Sequence, residues 1–310
     1  MRQLGPDQRV LEIGPGAFPH PRADVLCDRY SRGDAEAFSQ DGNLDRPIYT
    51  QPLILYSGVR TPFTDCAFDY VICSHVLEHV PADDIERFLA EMTRIGKSGY
   101  IEFPSYVFEL INNVGVHQWL INVVGGEIRL LEKARVQDSV RQIAEAIGPI
   151  FEQLMTESSG YQALYQSYLP IWIIGLEWDE TINFRIVDSL DNLIDAVERA
   201  KLIANLSAIE HREKSRKRRM LRAVKNRVGR IIRWKRPGNQ GEKKAELPAW
   251  ISSVVACPSC HLTTLRFGPE ETRCESCGAR YDTRAGEYFL YPPMTDENYY
   301  QPLVVADKER

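Results

Sequence analysis

The sequence predicts an α/β fold: a doubly wound parallel sheet followed by a basic helical segment and a small cysteine-bearing module. Three observations carry this. Short, near-continuous apolar runs at 9–13, 23–27, 52–56 and 68–74 read as strands buried on both faces. They alternate with turn signals and with a helical pattern at 82–95, the order expected of a parallel sheet with crossovers. Two CxxC pairs then follow a polar, Pro- and Gly-bearing stretch at 237–248.

The chain's 310 residues allow one α/β domain and a smaller module. An apolar share of 44% and 10% aromatics suit a packed core. No run approaches the ~20 apolar residues of a membrane-spanning helix. The first residues, MRQLGPDQRV, lack the apolar centre of a secretion signal, so a cytoplasmic location is the expectation.

The elements follow in order. RVLEI at 9–13 is a strand running into GPG, and ADVLC at 23–27 is a second ending at Asp28. PLILY at 52–56 is a third, FDYVICS at 68–74 a fourth and SGYIEF at 98–103 a fifth. Between the last two, Ile85, Phe88, Leu89, Met92 and Ile95 recur at helical spacing, with Pro81 near the start. From about 105 the pattern becomes less regular and is read as an elaboration of the sheet domain. WLINVVGGEIRLL at 119–131 reads as a hairpin turning at Gly125-Gly126, residues 137–157 as a helix, and LPIWIIGLEW at 169–178 as a strand with NFRIV at 183–187 beside it. The domain reading is therefore 1–187 for the α/β domain, 188–236 for a helical, strongly basic segment, 237–248 for a linker and 249–310 for the cysteine module and tail.

The best local signal is VLEIGPG at 10–16. Gly14 and Gly16 let the backbone turn tightly after a strand and approach a ligand closely. Asp28, at the next strand end, can accept both hydroxyls of a ribose. Eleven residues, including Pro19 and Pro21, separate Gly16 from Asp28, so the usual first helix is expected to shrink to a turn or loop. That weakens a phosphate site at a helix N-terminus and counts against a pyrophosphate-bearing dinucleotide.

VLEIGPG resembles the first motif of class I S-adenosylmethionine-dependent methyltransferases. FDYVICSHVLEHV at 68–80 resembles the fourth-strand motif of that superfamily, especially its type 11 branch, and TPFTDCAFDYV is similar to the LPF-x-D-x-x-FDxV stretch of the same branch. The resemblance spans about residues 8–105. It implies a Rossmann-like sheet and S-adenosylmethionine as cofactor, a molecule with no phosphate and a cationic sulfonium. Glu12, Gly14 and Gly16 would lie along that cofactor, Asp28 would bind its ribose, and Ser74 and His75 would approach its methionine end. YSGVR follows the third strand where an acidic residue would hold the adenine amine, which leaves that contact unassigned.

Methyl transfer to a hydroxyl needs alignment and removal of a proton. Histidine suits the second task near neutral pH. His75, beyond the fourth strand, and His117, in the elaborated region, are the candidate catalytic residues. His117 reads equally as a surface histidine capping a loop. Glu78 and His79, in LEHV, read first as packing residues of the segment that opens the next helix. Glu102, close after the fifth strand, is a further candidate contact.

Cys257-x2-Cys260 and Cys274-x2-Cys277, thirteen residues apart, form the strongest motif in the chain. Two such knuckles bring four thiolates to a tetrahedral Zn²⁺. Four protein ligands close the site, so a structural ion is expected, supplying folding energy to a module with little core of its own. Cys27, Cys66 and Cys73 read as ordinary free thiols in or near strands. VACPSCHLTTL and RCESCGARYDTRAGEYFLYP, over about 252–292, are similar to the small zinc-ribbon activator subunit that partners tRNA, ribosomal RNA and translation-factor methyltransferases. The resemblance implies such a module attached in cis, covering an apolar face of the catalytic domain or shaping its acceptor site.

The net charge of −5 conceals a division. Residues 212–236 hold 13 of the 38 Lys and Arg and one of the 43 acids, which leaves 25 bases and 42 acids elsewhere. The segment is near +12 and the remainder near −17. Leu221, Val224, Val228, Ile231 and Ile232 form an apolar stripe within it. Three readings fit: an anionic membrane surface, docking on the acidic body of the same chain and, least favoured, nucleic acid. The leading functional expectation is O-methylation of a saccharide, lipid-linked precursor or other small molecule. The alternatives are methylation of RNA or a translation protein, against which SHVL stands in place of an Asn-Pro-Pro-Tyr-type motif, and a non-catalytic scaffold.

Overall fold

The computed structural model describes residues 1–16, 18–31, 51–56, 59–194 and 246–290. The basic segment 212–236, most of the 237–248 linker and the tail from 291 lie outside the described residues.

Five short strands form the centre: β1 (Val10–Ile13), β2 (Val25–Asp28), β3 (Leu53–Leu55), β4 (Tyr70–Ser74) and β5 (Ser98–Pro104). They are parallel and lie in the spatial order β3-β2-β1-β4-β5. Their residues are buried on both faces, which is why the sequence shows apolar runs instead of alternation. One face, with Leu11, Ile13, Val25, Cys27, Val71, Cys73 and Ile101, belongs to the main core. Against it packs the buried side of α1 (Ile85–Ile95), which links β4 to β5. Between β1 and β2 the chain forms turns and no helix among the described residues, as Pro19 and Pro21 require.

Beyond α2 (Tyr106–Asn112), the hairpin of β6 (Trp119–Val124) and β7 (Glu127–Glu132) turns at Gly125 and Gly126. Both glycines have positive φ, 61° and 85°, as a tight two-residue turn demands. The chain continues through α3 (Asp138–Glu157), α4 (Ser159–Ser167) and α5 (Leu169–Trp172). It then enters β8 (Ile173–Asp179), antiparallel to β5 along all seven residues. The run at 169–178, expected as one strand, is thus divided: Pro170 fits the first turn of a short helix, and extended pairing begins only at Ile173. A second difference concerns β9 (Phe184–Val187). It pairs in parallel with β7 in a separate three-stranded sheet, not with β8. Ser189 caps α6 (Leu190–Leu193), its Oγ accepting from the Asn192 amide.

The cysteine module contributes β10 (Leu265–Phe267), β11 (Glu271–Cys274), β12 (Arg280–Arg284) and β13 (Glu287–Phe289). It is not a detached appendage. β13 lies parallel to β3, pairing Glu287, Tyr288 and Phe289 with Leu53, Ile54 and Leu55. Among the described residues this makes one ten-stranded sheet, β10-β11-β12-β13-β3-β2-β1-β4-β5-β8. Further contacts tie the module to the 61–65 loop: the Thr64 amide donates to the Val254 carbonyl at 2.8 Å and the Ala256 amide to Pro62 at 2.6 Å. Ile251, Val254, Val255, Leu265, Tyr281, Tyr288 and Leu290 share the main core with the α/β sheet. The module covers what would be an exposed, wholly apolar edge strand. Among the described residues no helix is long and apolar enough to cross a membrane.

Candidate active site

In a sheet of order 3-2-1-4-5 the chain leaves β1 in one direction and β4 in the other, which opens a crevice at their C-terminal ends. Registry brings the predicted residues there. Ile13 sits beside Cys27 of β2 and Cys73 of β4, so Gly14, Asp28 and Ser74 end neighbouring strands. The Gly14 amide donates to the Cys27 carbonyl at 2.9 Å. Gly14 and Gly16 have φ of 65° and 54°, a region that favours glycine. A Cβ on Gly14 would lie 2.2 Å from Val76 Cγ2, whereas one on Gly16 would meet nothing within 4 Å among the described residues. The first glycine lets the β4 loop close in, and the second faces open space that a ligand can approach. Asp28 forms the rim opposite, its Oδ1 accepting from the Tyr30 amide at 3.1 Å.

Glu12 is buried, and its Oε2 accepts from the His20 amide at 2.6 Å. Burial raises its pKa to about 7 against that hydrogen bond, which lowers it. The side chain ties the end of β1 to the loop that replaces the first helix.

His75, at the end of β4, also holds a positive φ, 57°. Its amide donates to the Glu102 carbonyl at 2.9 Å. The ring lies between two carboxylates: Nδ1 is 3.3 Å from Glu78 Oε1 and Nε2 is 3.6 Å from Glu102 Oε1. Burial works against a charge on the ring, but its hydrogen bonds to the carboxylates of Glu102 and Glu78 outweigh it and lift the pKa to about 10. The same contact with His75 holds Glu102 below the ordinary carboxylate value. The two carboxylates thus favour the protonated ring, which bridges the ends of β4 and β5.

Beyond His75 follow a 3-10 turn at Leu77–His79 and, later in the chain, the start of β6. The Gln118 amide donates to the Glu78 carbonyl at 2.8 Å, and Trp119 Nε1 donates to the Val80 carbonyl at 2.7 Å. His117 is thereby brought against His79, ring centroids 4.5 Å apart and edge to face. His117 Nδ1 contacts Glu109 Oε1, and Lys133 Nζ lies 3.2 Å from Glu109 Oε2. Glu109 and Lys133 were not legible as site residues in the sequence. They stand 8 residues before and 16 residues after His117, with no local pattern to connect them.

At the other end of the sheet the four cysteines of the module come together, their sulfurs mutually within 4.8 Å. Cys257 Sγ is 3.7 Å from Cys277 Sγ, and Cys260 Sγ is 3.6 Å from Cys274 Sγ. Thiolates at ~2.3 Å around a tetrahedral ion would stand ~3.8 Å apart, so the donor set fits zinc. The two knuckles have matching geometry. The amides of His261 and Gly278 donate back to the carbonyls of Cys257 and Cys274, with φ of 61° and 74° at the residue after each pair. Burial raises the Cys274 thiol, but the Thr264 hydroxyl and the amides of Cys277 and Ser276 bring it down to about 6.

Residues 29–101 match the family described as a methyltransferase domain. No curated protein matches the chain. Among solved structures it is similar to an S-adenosylmethionine-dependent methyltransferase of Thermotoga maritima, described as a possible histamine N-methyltransferase. The two are 28% identical over 33% of this chain and 45% of that one, with a TM-score of 0.24. It is also similar to an S-adenosylmethionine-dependent methyltransferase of Clostridium acetobutylicum, at 15% identity over 38% and 50% with a TM-score of 0.25. A third is the methyltransferase CalH in complex with SAH, at 19% identity over 32% and 33% with a TM-score of 0.22. The chain thus spans half or less of the length of each of these. The α/β, Rossmann-like methyltransferase fold follows from the strand order and from the family match over residues 29–101.

Proposed function

We propose that this chain is an S-adenosylmethionine-dependent methyltransferase that methylates a hydroxyl of a saccharide, a glycolipid precursor or another small molecule. The observation that carries the reading is the meeting of Gly14, Gly16, Asp28 and Ser74 at the crevice between β1 and β4. S-adenosylmethionine, when bound, supplies an electrophilic methyl group on a cationic sulfonium. Asp28 would accept the ribose hydroxyls. Gly14 and Gly16 would admit the cofactor's methionine end close to the backbone, beside Ser74. His75 would hold Glu78 and Glu102 in position as a fixed cation, and His117, buttressed by Glu109, would face the acceptor.

A structural Zn²⁺ at Cys257, Cys260, Cys274 and Cys277 belongs to the same proposal. The module would act as a zinc ribbon that completes the sheet edge at β3, away from the crevice. The segment 212–236 would bring the enzyme to an anionic membrane surface.

The test is methyl transfer from labelled S-adenosylmethionine, by the zinc-loaded chain, to saccharides and lipid-linked saccharides, with RNA and a mixed-protein acceptor run in parallel. Label in an ether linkage on the saccharide supports the reading. Label in RNA or protein alone replaces it with methylation of a macromolecule.

A further inference from the structure

Glu78, His79 and His117 each bring one potential ligand atom to within 4.8 Å of the others. Two of them lie on the turn after β4 and the third just before β6, held together by the backbone and indole bonds of Gln118 and Trp119. Two independent features point to an ion. First, the Glu78 side chain is 1% exposed, and while Oε1 faces His75, Oε2 has no hydrogen-bond partner among the described residues. A buried carboxylate oxygen left without a donor is costly, and native structures seldom tolerate one. A cation would satisfy it. Second, His117 has the surroundings of a metal ligand. Its Nδ1 is committed to Glu109, whose side chain is wholly buried and paired with Lys133. That contact fixes the ring and leaves Nε2 as the coordinating nitrogen, the carboxylate–histidine arrangement that orients metal-bound imidazoles.

We propose that Glu78, His79 and His117 hold a divalent transition-metal cation at the acceptor side of the crevice. Two imidazoles and one carboxylate differ in kind from the four thiolates of the cysteine module. They are a harder, incomplete set that leaves coordination positions open. The role of the ion rests on the methyltransferase reading, although its binding does not. The open positions fit two neighbouring hydroxyl oxygens, as a vicinal diol on a sugar ring presents. Coordination acidifies a hydroxyl, as it does water. The hydroxyl gives its proton to solvent, its oxygen bonds to the methyl carbon, and the C–S bond breaks with the electron pair returning to sulfur. The sulfonium cation becomes a neutral thioether. The substrate class narrows accordingly to acceptors with adjacent hydroxyls.

The experiment titrates Mn²⁺ into the full chain, zinc-loaded and otherwise metal-stripped, and follows free Mn²⁺ by electron paramagnetic resonance. Calorimetry with S-adenosylhomocysteine is run on the same samples. The wild type is expected to bind one Mn²⁺ per chain. Affinity should fall more than about tenfold in His117→Gln and His79→Gln, and about tenfold in Glu109→Gln, which removes only the orienting contact. Zinc content and S-adenosylhomocysteine binding should be unchanged in these variants. Glu78→Gln is added where circular dichroism shows it folded. Mn²⁺ binding that is absent from the folded wild type, or equal in all variants, overturns the site. Binding of Mn²⁺ without S-adenosylhomocysteine supports the metal site and removes the methyl-transfer role, so the two failures are distinct.

Discussion

Gly14 and Glu12 make the crevice from one short motif, and each supports a prediction. Gly14→Ala combines a positive φ with a Cβ 2.2 Å from Val76 Cγ2, so it should cost about 2 kcal/mol in urea unfolding and abolish cofactor binding. Adding Val76→Ala should recover part of the stability, because the clash is with that side chain. Glu12 has a folded pKa near 7, above its ordinary 4.5, because it is buried. The native chain therefore holds that proton more tightly than the unfolded one. The associated stability is fully present below about pH 4.5 and is lost as pH rises through about 7, a change of roughly 3 kcal/mol. Unfolding free energies measured from pH 4.5 to 8 should fall more steeply in the wild type than in Glu12→Gln, and parallel curves would contradict the assignment. The left-handed turn at Gly14 and Gly16 and the strand-end position of Asp28 were legible because backbone freedom and a strand end are local features. The state of His75 was not. Its protonation depends on Glu102, which meets it only through β4–β5 registry.

Among the elements, the apolar runs of β1 to β5 and the glycine turn of β6 and β7 could be read directly, since each is encoded within a few residues. The partners of short strands could not. NFRIV carries nothing to say whether it joins β8 or β7, and LPIW is as apolar as the strand it precedes. The union of β13 with β3 was equally hidden, because it joins residues more than 230 positions apart. That union has a measurable consequence. The Leu53 amide donates to the Gly286 carbonyl at 3.1 Å, so its protection comes from the cysteine module. Chelation of zinc should unfold the module and accelerate hydrogen exchange at Leu53 far more than at Val71–Cys73 in central β4. Equal protection at Leu53 with and without metal would mean that the ion does not hold this edge.

At the scale of the whole molecule, the fold class and the presence of a cysteine centre were legible, because both rest on repeated short signals. The cluster beside the 3-10 turn was assembled from dispersed residues: Glu109, His117 and Lys133 meet only after the hairpin is docked. The charge division is a property of the sequence as a whole. With a body near −17 and a segment near +12, the protein should float with anionic liposomes at low salt, less so as ionic strength rises, and lose flotation in Ile231→Glu. Unchanged flotation in that variant would contradict an apolar contribution from the stripe.

The central claim is that the crevice between β1 and β4 binds S-adenosylmethionine through Asp28. Calorimetric titration of the wild type and of Asp28→Ala, with zinc quantified in both, tests it most directly. The account predicts one cofactor bound per wild-type chain, about one zinc per chain in both proteins, and an affinity at least about tenfold weaker in the variant. A folded, zinc-loaded wild type that binds no cofactor, or a variant that binds as well as the wild type, would contradict it.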